Sequence, residues 1–262
     1  MSDESYGRLG AAASSGVRSL ARAFDLLEHL ADAGGALTLS ELADVSGLPA
    51  PTIYRLMRTL VNQGYVRQEP SRRYALGPRL IRLGDTASRM LGSWARPWLS
   101  QLVDEIGETA NLALLDGDRI VYVAQVPSRH SMRMFTEVGR SFPPHCTGVG
   151  KALLAQLPPD VVAGIVARTG MPAHTPRTIT DPDELAVQLA GIRERGYAVD
   201  DGEQELGVRC VAVPVPDSAT PTGLSVSGPE ARLTDTTVSR VVPIMRAIAK
   251  NLAHSLTEPP SA

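Results

Sequence analysis

The residues whose types and spacing best suit ligand binding form a glycine-rich segment, Cys146-Thr147-Gly148-Val149-Gly150-Lys151-Ala152. It does not match a phosphate-binding loop, because that motif needs Gly where the chain has His145 and Ser or Thr where it has Ala152. A dinucleotide-binding fingerprint would need Gly in place of Leu153. Glycines that lead into a helix, predicted for 151–156, still expose backbone N–H groups that suit a small carboxylate. The alternative is a tight turn that binds nothing.

Polar side chains elsewhere in the chain could complete such a pocket. Ser225 and Ser227 are spaced i and i+2 in a strand-like run, so their hydroxyl groups point to the same face of a sheet. Cys210 lies in another apolar strand-like run, and Asp200 ends the run that begins at Tyr197. These residues and the glycine-rich segment are the candidate ligand-binding groups.

The same thiol could instead be catalytic. Cys210 with His145 or Asp200 could form the nucleophile and base of a cysteine hydrolase. Cysteine is also among the residues most often buried for packing alone, and His145 lies where it can brace the loop. The sequence favours the second interpretation, so no catalytic residue is expected. The two cysteines make no disulfide framework, which is typical of a reducing cytoplasm.

Metal and cofactor sites are not predicted. The candidate ligands have neither C-x₂-C nor H-x₃₋₅-H spacing and are scattered along the chain at His130, His145, Cys146 and His174.

Arginine distribution points to a second kind of chemistry. The whole chain of 262 residues has a net charge of −2, which taken alone argues against a nucleic-acid partner. Residues 17–82 nevertheless carry +3 and residues 83–262 carry −4. Between positions 55 and 82 there are seven Arg and one acidic residue, Glu69. Arginine is suited to phosphate and guanine by its planar fork of donors, so this segment is a candidate DNA-binding module.

The elements around these arginines form a recognisable order. Apolar spacing predicts a helix over Arg18–Asp32, and a capping box, Thr38 to Glu41, opens a short second helix through Val45. A third helix begins at Ala50 or Pro51 and stops before Gly64. Two short helices joined by a glycine-containing turn are typical of a helix-turn-helix.

The third helix has two distinct faces, and a hairpin follows it. One face is apolar; the other carries hydroxyl groups, Asn62, two arginines and no acidic group, which favours DNA recognition over an inert solvated face. Residues 65–68 and 73–76 predict two strands with Pro70 and arginines in the turn, the wing of a winged helix-turn-helix. The residues expected to face DNA are Thr38, Ser40, Ala50, Thr52, Tyr54, Arg55, Arg58, Arg72 and Arg73.

The rest of the chain predicts an α+β domain. A helix over Arg79–Met90 is expected to link the two parts, and another runs over Trp94–Ile106. Helices are also predicted from Asp181 to Gly196, with an N-cap and Pro at N1, and from Asp235 to Leu256. Strands are predicted at 110–115, 120–126, 132–135, 210–215 and 224–226. Because strands and helices occur in blocks, the sheet is expected to be antiparallel.

The composition limits which classes of protein this chain can belong to. With 43% hydrophobic and 21% charged residues the chain can bury a core, and no apolar run is long enough to span a membrane. Residues 1–16 lack the apolar region of a secretory signal. We therefore expect a cytoplasmic protein with no membrane partner.

The motifs together resemble the IclR family of bacterial transcription regulators. In the N-terminal part the similar segments are Leu39–Ala43, Gly47–Pro49, Thr52–Leu60, Gly64–Val66 and Arg73–Pro78. In the C-terminal part they are Gly107–Leu112, Val149–Ala155, Gly196–Asp201, Gly207–Pro214 and Ser225–Pro229. Helix-turn-helix signatures are common, and this second set makes the resemblance specific over residues 17–256.

The resemblance implies a domain plan and a ligand site. It implies a winged helix-turn-helix at 17–78, a linker helix at 79–92, and a GAF-like or profilin-like effector and oligomerisation domain at 93–262. In members that respond to glyoxylate, the matching positions hold small oxo-acids with the amides of Gly148 and Val149 and the side chains of Asp200, Cys210, Ser225 and Ser227. The apolar wall would be Met134, Phe142 and Val208.

The resemblance also implies a function. It implies a repressor of a catabolic operon that binds an inverted-repeat operator in double-stranded DNA as a homodimer, assembled into a dimer-of-dimers tetramer, and responds to a small carboxylate. His130–Met134 and the serine pair are most similar to repressors of allantoin and glyoxylate pathways. Regulation of aromatic-acid or sugar-acid catabolism is the alternative, and a Cys210-dependent hydrolase fused to a DNA-binding domain is the alternative from another class.

Overall fold

A computed structural model describes residues 17–134 and 137–257. The chain divides into two compact units between Ala87 and Ser88.

The first unit is a winged helix-turn-helix. Its helices are α1 (Arg18–Asp32), α2 (Leu39–Ser46) and α3 (Ala50–Asn62), and its strands are β1 (Ala36–Leu37), β2 (Val66–Gln68) and β3 (Tyr74–Leu76). The strands form an antiparallel sheet in the order β1-β3-β2. Its core side chains come from all three helices and from the wing, and they are Leu26, Leu30, Leu42, Ile53, Met57, Val66 and Tyr74.

Local sequence explains the helix boundaries in this unit. The Thr38 hydroxyl accepts a hydrogen bond from the Glu41 amide, and the Glu41 carboxylate accepts one from the Thr38 amide, so the predicted capping box is formed. Gly47 ends α2 with a φ of 65°, a left-handed conformation that glycine adopts without steric cost. Pro51 lies in the first turn of α3, where its missing N–H leaves no acceptor unpaired.

Helix α4 (Arg79–Leu91) follows the wing and contains the boundary between the two units. The second unit then begins with α5 (Arg96–Ile106), β4 (Thr109–Asp116), β5 (Arg119–Val126) and β6 (Ser141–Phe142). It continues with α6 (Gly148–Leu154), α7 (Pro159–Thr169), α8 (Pro182–Arg195) and β7 (Ala198–Asp201). It ends with β8 (Val208–Val215), β9 (Thr222–Pro229) and α9 (Asp235–Thr257).

The described strands of this unit form one antiparallel sheet in the order β6-β5-β4-β9-β8-β7. Alternate residues of each strand point to opposite faces, which have separate cores. Val211 and Val213 pack with α5 and α9, whereas Ala212 packs with α6, α7 and α8. This arrangement confirms the predicted α+β class with an antiparallel sheet.

Some sequence predictions are wrong in the second unit. The predicted strand 132–135 is absent from Met132 to Met134, and Phe135 lies outside the described residues. Helix α6 begins at Gly148 and not at Lys151, so the glycines lie inside its first turn. Helix α7 and the short strand β6 were not predicted. None of the helices in the described ranges is long and apolar enough to cross a membrane.

Candidate effector cavity and DNA-binding face

Strand register brings the predicted polar residues of the second unit together. Asp200 on β7 lies opposite Cys210 on β8, and Cys210 lies opposite Ser227 on β9. Their side chains therefore form a row across three strands on the sheet face that packs against α6. Ser225 shares this face because it is two residues from Ser227, and it lies opposite Asn111 on β4.

The first turn of α6 packs directly against this row. A Cβ atom at Gly148 would lie 3.0 Å from Cys210 Sγ and 3.1 Å from the Cys210 carbonyl oxygen. A Cβ atom at Gly150 would lie 2.2 Å from the Pro144 carbonyl oxygen. The Thr147 hydroxyl caps the helix by accepting a hydrogen bond from the Gly150 amide. The glycines of the sequence motif are therefore required for close packing against β8 and the preceding turn.

A cavity of about 260 Å³ lies at this row. Five of its twelve lining residues carry polar or charged side chains at a buried or half-buried position, and three more are exposed and charged. The lining residues are Tyr122, Met134, Glu137, Arg140, Phe142, Thr147, Asp200, Gln204, Glu205, Val208, Cys210 and Ser227. Residues from five strands and their loops meet here although they are up to 105 positions apart in the sequence.

Asp200 has an unusual protonation equilibrium. It is 4% exposed, and burial raises the pKa of its carboxyl group to about 7. The Glu203 amide donates a 2.7 Å hydrogen bond to Asp200 Oδ1, which opposes the shift. Near neutral pH a large share of the molecules therefore carries a protonated Asp200, whose O–H group can donate a hydrogen bond to a ligand oxygen.

A buried ion pair lies next to this carboxyl group. Lys151 on α6 is fully buried, and its Nζ binds Glu203 Oε1 and, at 3.1 Å, Gln188 Oε1 on α8. The Glu203 carbonyl oxygen accepts a 2.6 Å hydrogen bond from the Thr178 hydroxyl. These contacts fix the turn after β7, which supplies Gln204 and Glu205 to the cavity.

The exposed face of α3 carries the DNA-binding candidates of the first unit. Ile53 and Met57 are fully buried, whereas Tyr54 is 53% exposed and Arg55 and Arg58 are exposed. Ala50 is also exposed, and Thr52 is half-buried at the edge of this face. The predicted division of the helix into an apolar face and a basic polar face is therefore present.

Comparison with known proteins decides the assignment. Residues 19–70 match the IclR helix-turn-helix domain, and residues 86–254 match the bacterial transcriptional regulator IclR C-terminal domain. The chain belongs to the IclR family. The family consists of DNA-binding transcription regulators and not of enzymes, which confirms the resemblance stated above.

Individual IclR-family proteins match over most of their length. The transcriptional repressor IclR of Escherichia coli is 38% identical over 90% of this chain and 89% of its own. The transcriptional repressor AllR of Salmonella paratyphi A is 32% identical over 95% of this chain and 94% of its own. An IclR regulator from Alicyclobacillus acidocaldarius superposes with a TM-score of 0.79 at 32% identity, covering 92% and 99%. An IclR homologue from Microbacterium hydrocarbonoxydans, solved with 4-hydroxybenzoate, superposes with a TM-score of 0.75 at 25% identity. The match covers 91% of this chain and 99% of the homologue.

The structure places most of the predicted ligand-binding residues at the cavity. Met134, Phe142, Val208 and the three members of the Asp200 row line it. Gly148 and Val149 are buried in the first turn of α6, immediately after the lining residue Thr147. Ser225 is fully buried and lies outside the lining, where the Asn111 side-chain amide is 3.5 Å from its hydroxyl oxygen.

Several cavity residues escaped the sequence analysis. Tyr122, Arg140 and Gln204 line the cavity, and Asn111 supports it from β4 while accepting a 2.9 Å hydrogen bond from Gln125. Asn111 belongs to a recognised motif, and a buried amide within an otherwise apolar strand was the signal that could have revealed it. Tyr122 and Arg140 had no local signal, since their role depends on strand pairing.

The residues predicted to face DNA fall into two groups, one exposed and one engaged in contacts within the unit. Arg55, Arg58, Ser40 and Arg72 project from the surface, and Arg72 has a φ of 64°, a left-handed conformation that is rare outside glycine. The Thr38 hydroxyl is used in the capping box. The Arg73 guanidinium donates hydrogen bonds of 2.9 and 2.5 Å to the Ala36 carbonyl oxygen, so its donors are engaged within the unit.

The thiol chemistry considered above has no activated nucleophile. Burial raises the pKa of the Cys210 thiol to about 11 and that of the Cys146 thiol to about 12, so both are protonated at neutral pH. His145 Nε2 lies 3.2 Å from the Pro172 carbonyl oxygen. Within the described residues, no cluster of three or more His, Cys, Asp or Glu could hold a metal ion.

Proposed function

We propose that this protein is a repressor whose affinity for an inverted-repeat operator is controlled by a small organic acid bound in the cavity. The observation that carries the proposal is the cavity beside Asp200, Cys210 and Ser227, which combines buried hydrogen-bond donors with an apolar wall. A site of this kind in a chain that also has a basic recognition helix is suited to converting ligand concentration into DNA occupancy.

The DNA-binding half of the proposal rests on α3 and the wing. Tyr54, Arg55 and Arg58 project from one exposed face, which suits base edges and phosphates in the major groove. Arg72 at the tip of the wing contacts the phosphate backbone or the minor groove. Arg73 and Thr38 make contacts within the unit that stabilise it, and their part in DNA binding is indirect.

The effector half rests on the character of the donors. A protonated Asp200, the Ser227 hydroxyl and the Cys210 thiol offer hydrogen bonds to an acid group without placing a full negative charge beside it. The amides of Gly148 and Val149 lie outside the internal hydrogen bonds of the first helical turn and are further donors. Ser225 acts through its hydrogen bond with Asn111 and not by direct contact.

The size of the cavity bears on the identity of the acid. A volume of 260 Å³ equals about nine water molecules at their share of liquid volume. Glyoxylate, the predicted effector type, has five non-hydrogen atoms and is much smaller than this space. The volume and the Phe142–Tyr122 wall favour the alternative from the sequence, an aromatic acid or a sugar acid, and of these two the aromatic acid. The 4-hydroxybenzoate complex of the Microbacterium homologue supports this second candidate.

Control of DNA binding requires that the effector bind one conformation more tightly than the other. A tenfold change in operator affinity corresponds to about 1.4 kcal/mol of differential binding. We retain the division into a DNA-binding domain at 17–78, a linker at 79–92 and an effector and oligomerisation domain at 93–262. Helix α4 supplies the linker and is the proposed transmitter. A dimer, and a tetramer built from dimers, remains part of the proposal.

The test combines ligand screening with operator binding. Glyoxylate, allantoate, 4-hydroxybenzoate and a set of sugar acids are screened for an increase in melting temperature, and each hit is tested for its effect on operator binding. We expect one class to raise the melting temperature of the wild type and not that of Ser227→Ala. If no acid stabilises the protein or alters operator binding, the proposed effector role is wrong; sedimentation of the complex tests the dimer separately.

A further inference from the structure

The cavity has two chemically different ends. Asp200, Cys210 and Ser227 are buried and lie on β7, β8 and β9, whereas Arg140 is exposed and lies just before β6, the strand at the opposite edge of the sheet from β7. Of the residues that line the cavity, Arg140 is the one with a cationic side chain. The proposed effector function uses only the buried end, so Arg140 has no role in it.

The structure holds Arg140 in place against the aromatic wall. Its guanidinium lies over the Phe142 ring, 5.4 Å from the centroid, and the Phe142 and Tyr122 rings meet edge to face with centroids 5.6 Å apart. The Arg140 backbone is fixed on both sides, because its amide binds the Glu137 carbonyl oxygen and its own carbonyl oxygen accepts from the Tyr122 amide. The positive charge is therefore positioned by β5, β6 and the turn between them.

This charge is not neutralised by a neighbouring residue. Other arginines of the unit form ion pairs, such as Arg168 with Asp118 at 2.7 Å and Arg232 with Glu108. Arg140 forms no ion pair within the ranges 17–134 and 137–257. A guanidinium held over an aromatic ring with free donors is suited to a planar acid group, which it can bind through two parallel hydrogen bonds.

Two exposed carboxylates, those of Glu137 and Glu205, also line the cavity. Both are solvated, so their repulsion of an anion is weakened by water and salt. They nevertheless provide a test of whether the effector carries a negative or a positive charge near Arg140. If the effector has an anionic group at this end, removing either glutamate charge should strengthen binding, whereas an effector with an amino group there would bind more weakly.

We propose that Arg140 binds a second acidic group of the effector, and that the effector is a small diacid spanning the cavity from the Asp200 end to the Arg140 end. This inference rests on the proposed effector role of the cavity and specifies its ligand class. The first acid group accepts hydrogen bonds from the buried donors, and the second forms a charge-assisted pair with the guanidinium. The volume of about 260 Å³ has room for a diacid the size of glutarate or adipate.

The experiment uses the full chain and matched pairs of probes. Binding of glutarate and adipate is compared with that of valerate and hexanoate, which have the same chain lengths and one acid group, by calorimetry at one fixed pH. The variants are Arg140→Gln, Glu205→Gln and a control, Arg133→Gln, which removes an exposed arginine that does not line the cavity.

We expect the diacids to bind wild type more tightly than the monoacids, and Arg140→Gln to weaken diacid binding about tenfold, the loss of one charge-assisted pair. Monoacid binding should change less than threefold, Glu205→Gln should tighten diacid binding, and Arg133→Gln should match wild type. Equal loss for monoacids and diacids, or weaker diacid binding in Glu205→Gln, would overturn the proposal. If monoacids such as 4-hydroxybenzoate bind and no diacid does, Arg140 is not a second acid site, although the cavity still binds an effector. If no acid of either class binds, the proposed effector function itself fails.

Discussion

Arg73, immediately before β3, forms an ion pair with Glu41 on α2, with Arg73 Nη2 3.2 Å from Glu41 Oε2, and the same guanidinium donates hydrogen bonds to the Ala36 carbonyl oxygen on β1. Glu41 is also the residue that completes the capping box of α2. The wing is thereby tied to the start of the helix-turn-helix through one arginine. This contact gives Arg73 a structural role within the unit, although its side chain is 39% exposed; the sequence grouped it with the DNA-facing arginines.

Replacing Arg73 with Ala should therefore lower the stability of the apoprotein and leave the electrostatics of DNA binding largely unchanged. We expect a loss of about 1 kcal/mol from the hydrogen bonds to Ala36, seen as a lower melting temperature of the apoprotein. The dependence of operator affinity on salt should keep its slope. Arg58→Ala is the matched control: it should leave the melting temperature unchanged and reduce the salt slope by about one unit. If Arg73→Ala instead kept the melting temperature and reduced the salt slope, Arg73 would be a DNA-contacting residue.

At Arg72, at the tip of the wing, one substitution should affect protein stability and DNA binding in opposite directions. Its φ of 64° costs a non-glycine residue about 1 kcal/mol, so Arg72→Gly should preserve or raise the melting temperature. The same change removes an exposed cation and should weaken operator binding with a shallower salt slope. Gel shifts across a salt series, beside thermal unfolding, measure both effects. Unchanged operator affinity in this variant would show that the arginine does not contact DNA.

The raised pKa of Asp200 predicts a pH dependence for effector binding. An anionic effector binds best when Asp200 is protonated, so its affinity should fall as the pH rises through about 7, by up to tenfold per pH unit. Asp200→Asn keeps an oxygen for the Glu203 amide and cannot ionise, and its binding should be nearly independent of pH. Calorimetric titrations at several pH values test this. A wild-type affinity that stays constant from pH 6 to pH 8 would contradict it.

The same group has a consequence for stability. Because folding raises the pKa of Asp200 above its value in the unfolded chain, the folded state binds the extra proton between about pH 4 and pH 7. Stability of the apoprotein should therefore decrease as the pH rises through this window. Asp200→Asn should remove part of this decrease and be more stable than wild type at pH 8, as measured by chemical denaturation.

Close packing at Gly148 predicts a coupled effect with Cys210. A methyl group at position 148 would be 3.0 Å from Cys210 Sγ, which forces α6 away from β8. We expect Gly148→Ala to destabilise the fold by about 1–3 kcal/mol and to weaken effector binding. Adding Cys210→Ala removes the sulfur and should restore part of the loss, leaving the contact with the carbonyl oxygen at 3.1 Å. A double variant that is as impaired as the sum of the two single ones would show that the contact does not matter.

Prediction from the sequence succeeded where the determining interactions are local. The bounds of α1, the capping box at Thr38 and the start of α8 after Asp181 depend on residues within one or two helical turns, and the structure has all three. The two faces of α3 follow from helical periodicity in the same way. The ligand-binding role predicted for Asp200 and Cys210 came from the resemblance to a family. Local sequence patterns showed them only as isolated polar residues.

Prediction failed where an element depends on distant partners. Strand β1 has two residues and exists because β3 pairs with it, 37 or 39 positions later. The run from Met132 to Phe135 suggested a strand, but no described strand pairs with residues 132–134; the Thr109 hydroxyl instead donates a hydrogen bond to the Met134 carbonyl oxygen. Tyr122 and Arg140 entered the cavity through the pairing of β5 with β6 and the turn that precedes it.

By itself the sequence determined the basic recognition helix, the class of the second unit and the glycines of α6, because each is specified by charge, periodicity or backbone freedom within a short segment. Only the tertiary structure decided that the pKa of Asp200 is raised to about 7, that Arg73 bonds to Glu41 and Ala36, and that Arg140 lies at the cavity. Those three properties depend on burial and on neighbours contributed by other strands, and residues that are distant in the chain acquire neighbours only when the sheet forms.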